Sequence, residues 1–283
     1  MTTTAIQRTT SDATGPQLKS DELRLFQELM YRKAGIRIAD AKINLVQGRL
    51  RRRLDALGLT SYRAYHDYAT APGHEAEFQM CLESLTTNET FFFRHKEHWD
   101  FLLGTIVPAW RKAAARGATF RAWSAACSSG EEPYSLAIAL DAALTGSGCA
   151  FRIDATDINT QVIGRARAGI YGAYALQKIT PAALARYFTA QADGQRHQVC
   201  DALRARIDFR AHNLLERATG PAYDLILLRN VLIYFDGDSK GAVLTNLAGR
   251  LAAGGHLILG GAETLSEKAH GFAYVQPTIF RKR

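Results

Sequence analysis

The stretch Trp123–Leu140, "WSAACSSGEEPYSLAIAL", decides the fold. An apolar run closes on small residues, Ala125, Ala126, Ser128, Ser129 and Gly130, and a helix-forming run follows. That order is strand, tight turn, helix, the opening of a crossover unit in which a ligand approaches the turn and the helix N-terminus. Where glycines normally admit a pyrophosphate, Glu131 and Glu132 stand ahead of Pro133. Acids in a first turn complement the helix dipole, which is one sufficient reason for them. The other is selective: a carboxylate pair repels phosphate and favours a ligand carrying an amine or a sulfonium.

Strands and helices alternate outward from this turn. "FRAWSA", "CAFRIDAT", "IDFRAHN", "YDLILLRN" and "GGHLILGG" read as strands, and "PYSLAIALDAAL", "NTQVIGRARAG" and "SKGAVLTNLAGRLA" as helices. The order predicts a mostly parallel sheet with helices on both faces and ligands at the carboxyl ends of its strands. Tyr171 to Arg206 breaks the rhythm and reads as an insertion, with a hairpin at Asp193-Gly194.

The strand ends supply candidate ligands. "ATDIN" places Asp157 25 positions beyond Glu132, where one carboxylate accepts from both hydroxyls of a ribose; the alternative is a plain N-cap for the next helix. Asn213 in "AHNLL" and Asn230 in "LLRNVLIYFD" stand at successive strand ends, either to bind a ligand or to satisfy loose backbone groups. Tyr234 offers a hydroxyl at the rim. A ribose at Asp157 and a cationic amino-acid end near the glutamates describe S-adenosylmethionine better than a nicotinamide dinucleotide, and no GxGxxG is present.

From Ser20 to Leu85 the pattern is helical, with Ser20 or Asp21 as the expected N-cap of the first helix. Ile43, Val46, Leu50, Leu54 and Leu57 form one stripe, and Arg49, Arg51, Arg52 and Arg53 fan around the other sides. The 283-residue chain carries 35 Lys and Arg against 27 Asp and Glu, a balance of +8 that suits an acidic partner, nucleic acid or an anionic membrane. Four scattered cysteines argue against a disulfide framework or structural zinc. His95 and His98 lack further ligands nearby, so no metal site is expected. Without an apolar signal core or a run of about 18 apolar residues, a cytoplasmic location is expected.

"LTTNETFFFRHKEHW", "WSAACSSGEEPYSLA", "ATDIN", "RARAGIY" and "RNVLIYFD", in this order, resemble the chemotaxis receptor methyltransferase family CheR. The resemblance runs from about Leu23 to the end. It implies an S-adenosylmethionine-dependent protein-glutamate O-methyltransferase that leaves S-adenosylhomocysteine as product. It implies a class I, Rossmann-like methyltransferase domain with an N-terminal helical domain and a small inserted β-subdomain. The expected boundaries are a flexible tail over 1–18, a receptor-docking helical domain over 19–85, a connecting segment with cofactor contacts over 86–98, and the methyltransferase domain over 99–283, with its insertion near 171–206.

Carried over residue by residue, the family pattern puts Asn88, Thr90, Arg94, Glu132, Asp157, Asn213, Leu214, Asn230 and Val231 on the cofactor. Arg94 and Tyr234 are implied at the methyl-transfer centre, and Arg49, Arg51, Arg52 and Arg53 against an acidic chemoreceptor helical bundle. A receptor C-terminal tether peptide at the β-subdomain is a further implied partner. Glu89 stands where the family often carries an apolar residue, and it has no assigned role. The competing readings are a nucleic-acid methyltransferase, disfavoured because "NVLIYF" lacks the proline of a base-flipping turn, and a noncatalytic S-adenosylmethionine-binding regulator.

Overall fold

A computed structural model describes residues 15–265 and 271–283. The described residues divide into two compact units, 15–29 with 38–85 and 30–37 with 86–265 and 271–283.

The first unit is built by α1 (Ser20–Ala34) as far as Leu29, with α2 (Ile43–Leu57), α3 (Tyr62–Thr70) and α4 (Glu75–Leu85). The α2 stripe drives it together: Val46, Leu50 and Leu54 are buried along with Tyr62 and Tyr65 of α3 and Cys81 and Leu82 of α4. Gly58 then takes φ +66° and ends α2, a conformation open to glycine at no steric cost. Two expectations change at the start of the chain. Ser20 lies inside α1 rather than capping it, because Glu22 reaches back to accept the Lys19 N–H at 2.9 Å. The tail expected over 1–18 is engaged at its last residue, since Leu18 is buried and its N–H donates to Gln47 at 2.9 Å. Residues 1–14 of that tail lie outside the described residues.

The second unit opens with α5 (Lys96–Phe101), which runs through a π-turn at Leu102–Ile106 into α6 (Val107–Ala113). Crossovers follow: β1 (Thr119–Ala125), α7 (Glu131–Leu144), β2 (Ala150–Asp157) and α8 (Thr160–Ala168). The insertion holds β3 (Ile170–Gly172), α9 (Ala173–Leu176), α10 (Pro181–Tyr187), β4 (Phe188–Ala190) and β5 (Arg196–Val199), with antiparallel strands in the order β3-β5-β4. The reversal between β4 and β5 is tied by Asp193, which accepts from the N–H groups of Gln195 and Arg196, each at 3.0 Å. The chain returns through α11 (Asp201–Arg204), β6 (Ile207–Ala211), β7 (Tyr223–Leu228), α12 (Gly237–Ala248) and β8 (Leu251–Leu259). It closes with β9 (Phe272–Gln276) and β10 (Ile279–Lys282), a hairpin absent from the sequence reading.

The large sheet has the order β6-β2-β1-β7-β8-β10-β9, parallel through its first five strands and antiparallel at β10. Period-two alternation places β1 in two cores at once: Phe120 and Ala122 pack on one face, Trp123 and Ala125 on the other. Burial on both faces is what a parallel sheet requires. From β1 the chain steps to β2 and β6 on one side and then crosses back to β7 on the other. The order reverses between β1 and β7, and in open α/β sheets ligands bind in the crevice beyond those carboxyl ends.

Candidate active site

The turn after β1 is shaped by its backbone. Ala126, Ser128 and Gly130 take φ of +64°, +50° and +98°. Left-handed alanine and serine are strained, and such strain concentrates at ligand sites. A Cβ on Gly130 would meet the Tyr171 hydroxyl at 2.7 Å and the Ala166 Cβ at 2.8 Å, so only glycine lets α8 pack against the turn. Asn230, Phe93 and His95 share the left-handed region, so five of the six described non-glycine residues with positive φ fall in three segments around one crevice.

Glu131 and Glu132 leave the helix start in different directions. Glu131 accepts from the Ser129 hydroxyl at 2.7 Å, and its burial raises its pKa. Glu132 turns under the sheet end, where it accepts from the Ser124 hydroxyl at 2.7 Å and from Arg229 Nη1 at 2.9 Å. The turn is therefore less anionic than its sequence implies, because a buried guanidinium offsets Glu132.

Asp157 is buried at the end of β2, where it accepts from the Ser128 N–H at 2.9 Å and the Asn159 N–H at 3.0 Å. The N-cap of α8 is Asn159, whose side chain accepts from Gln161 and Val162, so the capping alternative for Asp157 falls away. A carboxylate has about four lone-pair positions, which is capacity for backbone donors and a vicinal diol together. With the small-residue turn beside it, this donor set fits the ribose of S-adenosylmethionine.

Residues 86–95 form a strap held by hydroxyls. Ser128 Oγ donates to the Asn88 carbonyl at 2.9 Å, the Phe93 N–H donates to Ser135 Oγ at 2.9 Å, and Thr86 Oγ1 accepts from Asn88 and Asn159. Thr90 is half-buried on this strap. Arg94 donates to the Glu89 carbonyl at 3.2 Å and lies over the Phe91 ring at 5.9 Å. Glu89 itself accepts from the Tyr174 hydroxyl at 3.2 Å.

The remaining expected residues divide. Asn230 and Val231 are half-buried beyond β7, while Tyr234 is half-buried and its carbonyl accepts from the Arg37 N–H at 2.8 Å. Asn213 does not present a free amide: Nδ2 donates to the Lys33 carbonyl at 2.7 Å and Oδ1 accepts from the Leu215 N–H at 3.1 Å. Its amide satisfies backbone groups of Lys33 and Leu215, and Leu214 beside it is buried. In the helical unit, Arg53 is committed to Glu77, Arg49 donates to the Leu85 carbonyl at 2.8 Å, and Arg51 pairs with Asp55 at 2.8 Å. Arg52 is exposed. The expected four-arginine docking face thus narrows, because Arg53 and Arg49 hold their own domain together.

Sequence reasoning missed Arg229 and Glu263. Glu263 is buried and accepts from Asn230 N at 2.9 Å, Gly260 N at 2.6 Å and Leu232 N at 2.7 Å, which fixes the loop beyond β7. Among the described residues no group of three His, Cys, Asp or Glu could hold a metal ion. His98 is buried, and burial followed by the nearby Arg229 lowers its pKa to about 4. The unfolded chain takes up that proton at about pH 6.5 and the folded one does not, so stability is full above pH 6.5 and falls toward pH 4. By pH 5 the loss from His98 reaches about 2 kcal/mol. Thermal unfolding at pH 7 and pH 5 should show it, and His98→Gln should flatten the difference.

Fold and crevice together define a class I methyltransferase that uses S-adenosylmethionine. Residues 21–86 match the family described as CheR methyltransferase, all-alpha domain, and residues 88–280 match CheR methyltransferase, SAM binding domain. The chemotaxis protein methyltransferase of Escherichia coli (strain K12) is 36% identical over 269 residues, covering 93% of this chain and 91% of that protein. Chemotaxis protein methyltransferase 1 of Pseudomonas aeruginosa is 36% identical over 262 residues, covering 90% and 94%. Among solved structures, the N-methyltransferase NodS from Bradyrhizobium japonicum WM9, in complex with S-adenosyl-l-homocysteine, has a TM-score of 0.34 at 18% identity over 70% of this chain and 71% of that one. The chain belongs to the CheR methyltransferase family. No helix among the described residues is long and apolar enough to cross a membrane.

Proposed function

We propose that this protein methylates glutamate side chains of chemoreceptor cytoplasmic domains, giving methyl esters for sensory adaptation, and that it works in the cytoplasm. The observation that carries the reading is the meeting of Glu132, Asp157 and the Asn88–Arg94 strap around the β1/β7 crevice, in a chain of the CheR family. When bound, S-adenosylmethionine supplies a methyl group on a sulfonium, which a carboxylate of pKa about 4 attacks at pH 7 without a general base.

The protein's task is therefore placement and exclusion of water. Asp157 holds the ribose, Asn213 and Leu214 approach the adenine through their backbone, and Asn88, Thr90, Glu132, Asn230 and Val231 hold the rest of the cofactor. Arg94 steers the substrate carboxylate and Tyr234 orients it. Arg94 also carries the Phe91 ring and the Glu89 carbonyl, so its pull on the carboxylate is shared, which keeps it from stabilising the ground state.

The acidic receptor bundle docks on α2 through Arg52 and Arg51, and an extended tether peptide adds to an outer strand of the β3-β5-β4 sheet. The test is transfer of labelled methyl from S-adenosylmethionine to receptor fragments, with base-labile release as methanol. Cofactor binding without transfer to any receptor would favour a noncatalytic regulator, and transfer to nucleic acid would move the substrate class. Arg51→Glu with Arg52→Glu should lower receptor methylation about tenfold or more at unchanged cofactor affinity. Unaffected methylation in that variant would remove α2 as the docking face.

A further inference from the structure

The strap carries an acid with no role so far. Glu89 stands between Asn88 and Thr90, both given above to the cofactor, yet its own side chain is exposed and reaches α9 of the insertion, where Oε1 accepts from the Tyr174 hydroxyl at 3.2 Å.

Packing beside it brings that pair together. The Phe92 N–H donates to the Ala175 carbonyl at 3.1 Å, and the Phe92 ring is fully buried, edge-on to Tyr171 at 4.9 Å and to Phe188 at 5.5 Å. An aromatic anchor of this kind fixes the strap against the insertion. Tyr174 is 62% exposed and Glu89 is exposed, so neither side chain is there to fill a core.

Arg94 completes the group. Its Nη1 donates to the Glu89 carbonyl at 3.2 Å, and its charge is felt at the Tyr174 hydroxyl, whose pKa is raised chiefly by the bond to Glu89 and drawn back by Arg94. No carboxylate pairs with Arg94 among the described residues, although Glu89 is only five positions away. The strap therefore shows an unpaired cation next to an anion that tyrosine holds.

We propose that Glu89 is a specificity-determining residue for the methyl acceptor: held on Tyr174 beside Arg94, its carboxylate disfavours an acceptor helix with a second acid one turn from the target glutamate and favours one with an amide or a base there. This rests on the reading above that Arg94 meets the acceptor carboxylate. Residues three or four apart share one face of a helix, so the residue one turn away passes the strap as the target reaches Arg94. Like charges set opposite each other reject a partner, while Arg94 attracts the target itself. Tyr174 is a positioning residue: without its hydroxyl the Glu89 carboxylate is free to pair with Arg94 and to compete with the acceptor.

Two receptor fragments that differ only by Gln or Glu one turn from the target test this on the full chain. The parent should methylate the Gln fragment about fivefold more efficiently in kcat/KM, and the preference should shrink as salt rises. Glu89→Gln keeps an oxygen for Tyr174 and removes the charge, so the preference should fall to about twofold or less at unchanged S-adenosylhomocysteine affinity. Tyr174→Phe should raise KM for both fragments about threefold or more at unchanged cofactor affinity, and adding Glu89→Gln should restore it. A bond that served the fold alone would not distinguish the fragments, and the loss of a charge would not rescue it. Equal efficiency on the two fragments in the parent, a preference that survives Glu89→Gln, or parent-like KM in Tyr174→Phe overturns the proposal and leaves the substrate reading standing. Transfer to neither fragment takes the substrate reading down, and the proposal with it.

Discussion

Asp157→Ala should lower affinity for S-adenosylmethionine and S-adenosylhomocysteine by about a hundredfold or more, and activity with it. Two charge-assisted bonds to a ribose diol are worth about 1.5–3 kcal/mol each, so their loss alone accounts for the effect. The same carboxylate holds the Ser128 N–H and the Asn159 N–H, so the variant also releases the left-handed turn that the cofactor must meet. Asp157→Asn should fare little better, because an amide has one accepting oxygen where two donors converge on different oxygens of the acid. Calorimetric titration with S-adenosylhomocysteine decides: binding within about threefold of the parent would place the ribose elsewhere.

Glu263→Ala should be the most damaging single change outside the cofactor contacts. Three backbone N–H groups, of Asn230, Leu232 and Gly260, converge on this carboxylate. A buried N–H left unsatisfied costs about 1–3 kcal/mol, and the bonds from Leu232 and Gly260 are buried, so the variant should lose about 2–6 kcal/mol of stability. It should also lose activity, because Asn230 sits at φ +61° and has no reason to stay there once its N–H is unpaired. Glu263→Gln should fall between, since one accepting oxygen remains and the amide nitrogen faces an N–H. Denaturant unfolding with cofactor titration on the same samples measures both, and parent-like stability in Glu263→Ala would show that water replaces the acid.

The parallel part of the sheet was readable because its strands are apolar runs set between helices, and buried strands have no other appearance. The Trp123–Leu140 turn was readable for the same reason, and "ATDIN" gave Asp157 by its spacing from that turn. The closing hairpin was not: "FAYVQPTIFRK" alternates poorly, and its pairing with β8 depends on a return from outside the parallel order. Glu263 was invisible because it meets Asn230 across 33 positions, and nothing in "GAETLS" marks a loop that folds back on a strand end. Arg229 did leave a trace. An arginine that closes the apolar run "LILL" must find an acid, and Glu132 lies at the turn of the adjacent strand. At Asn213 the side-chain amide serves the backbone, the plainer of the two readings for a polar residue at a strand end.

The ties on the 86–95 strap differ in kind along its length. Near Asn88 they include neutral hydroxyl bonds, Ser128 Oγ donating to the Asn88 carbonyl and Thr86 Oγ1 accepting from Asn159, each worth about 1 kcal/mol net, whereas at Arg94 a buried guanidinium holds the backbone. The strap should therefore yield first on the Asn88 side, which would read as faster amide exchange there than at Arg94. Spent cofactor would then leave past Asn88 without disturbing the Arg229–Glu132 pair, and the enzyme would begin its next cycle with the reactive end of the cleft already set.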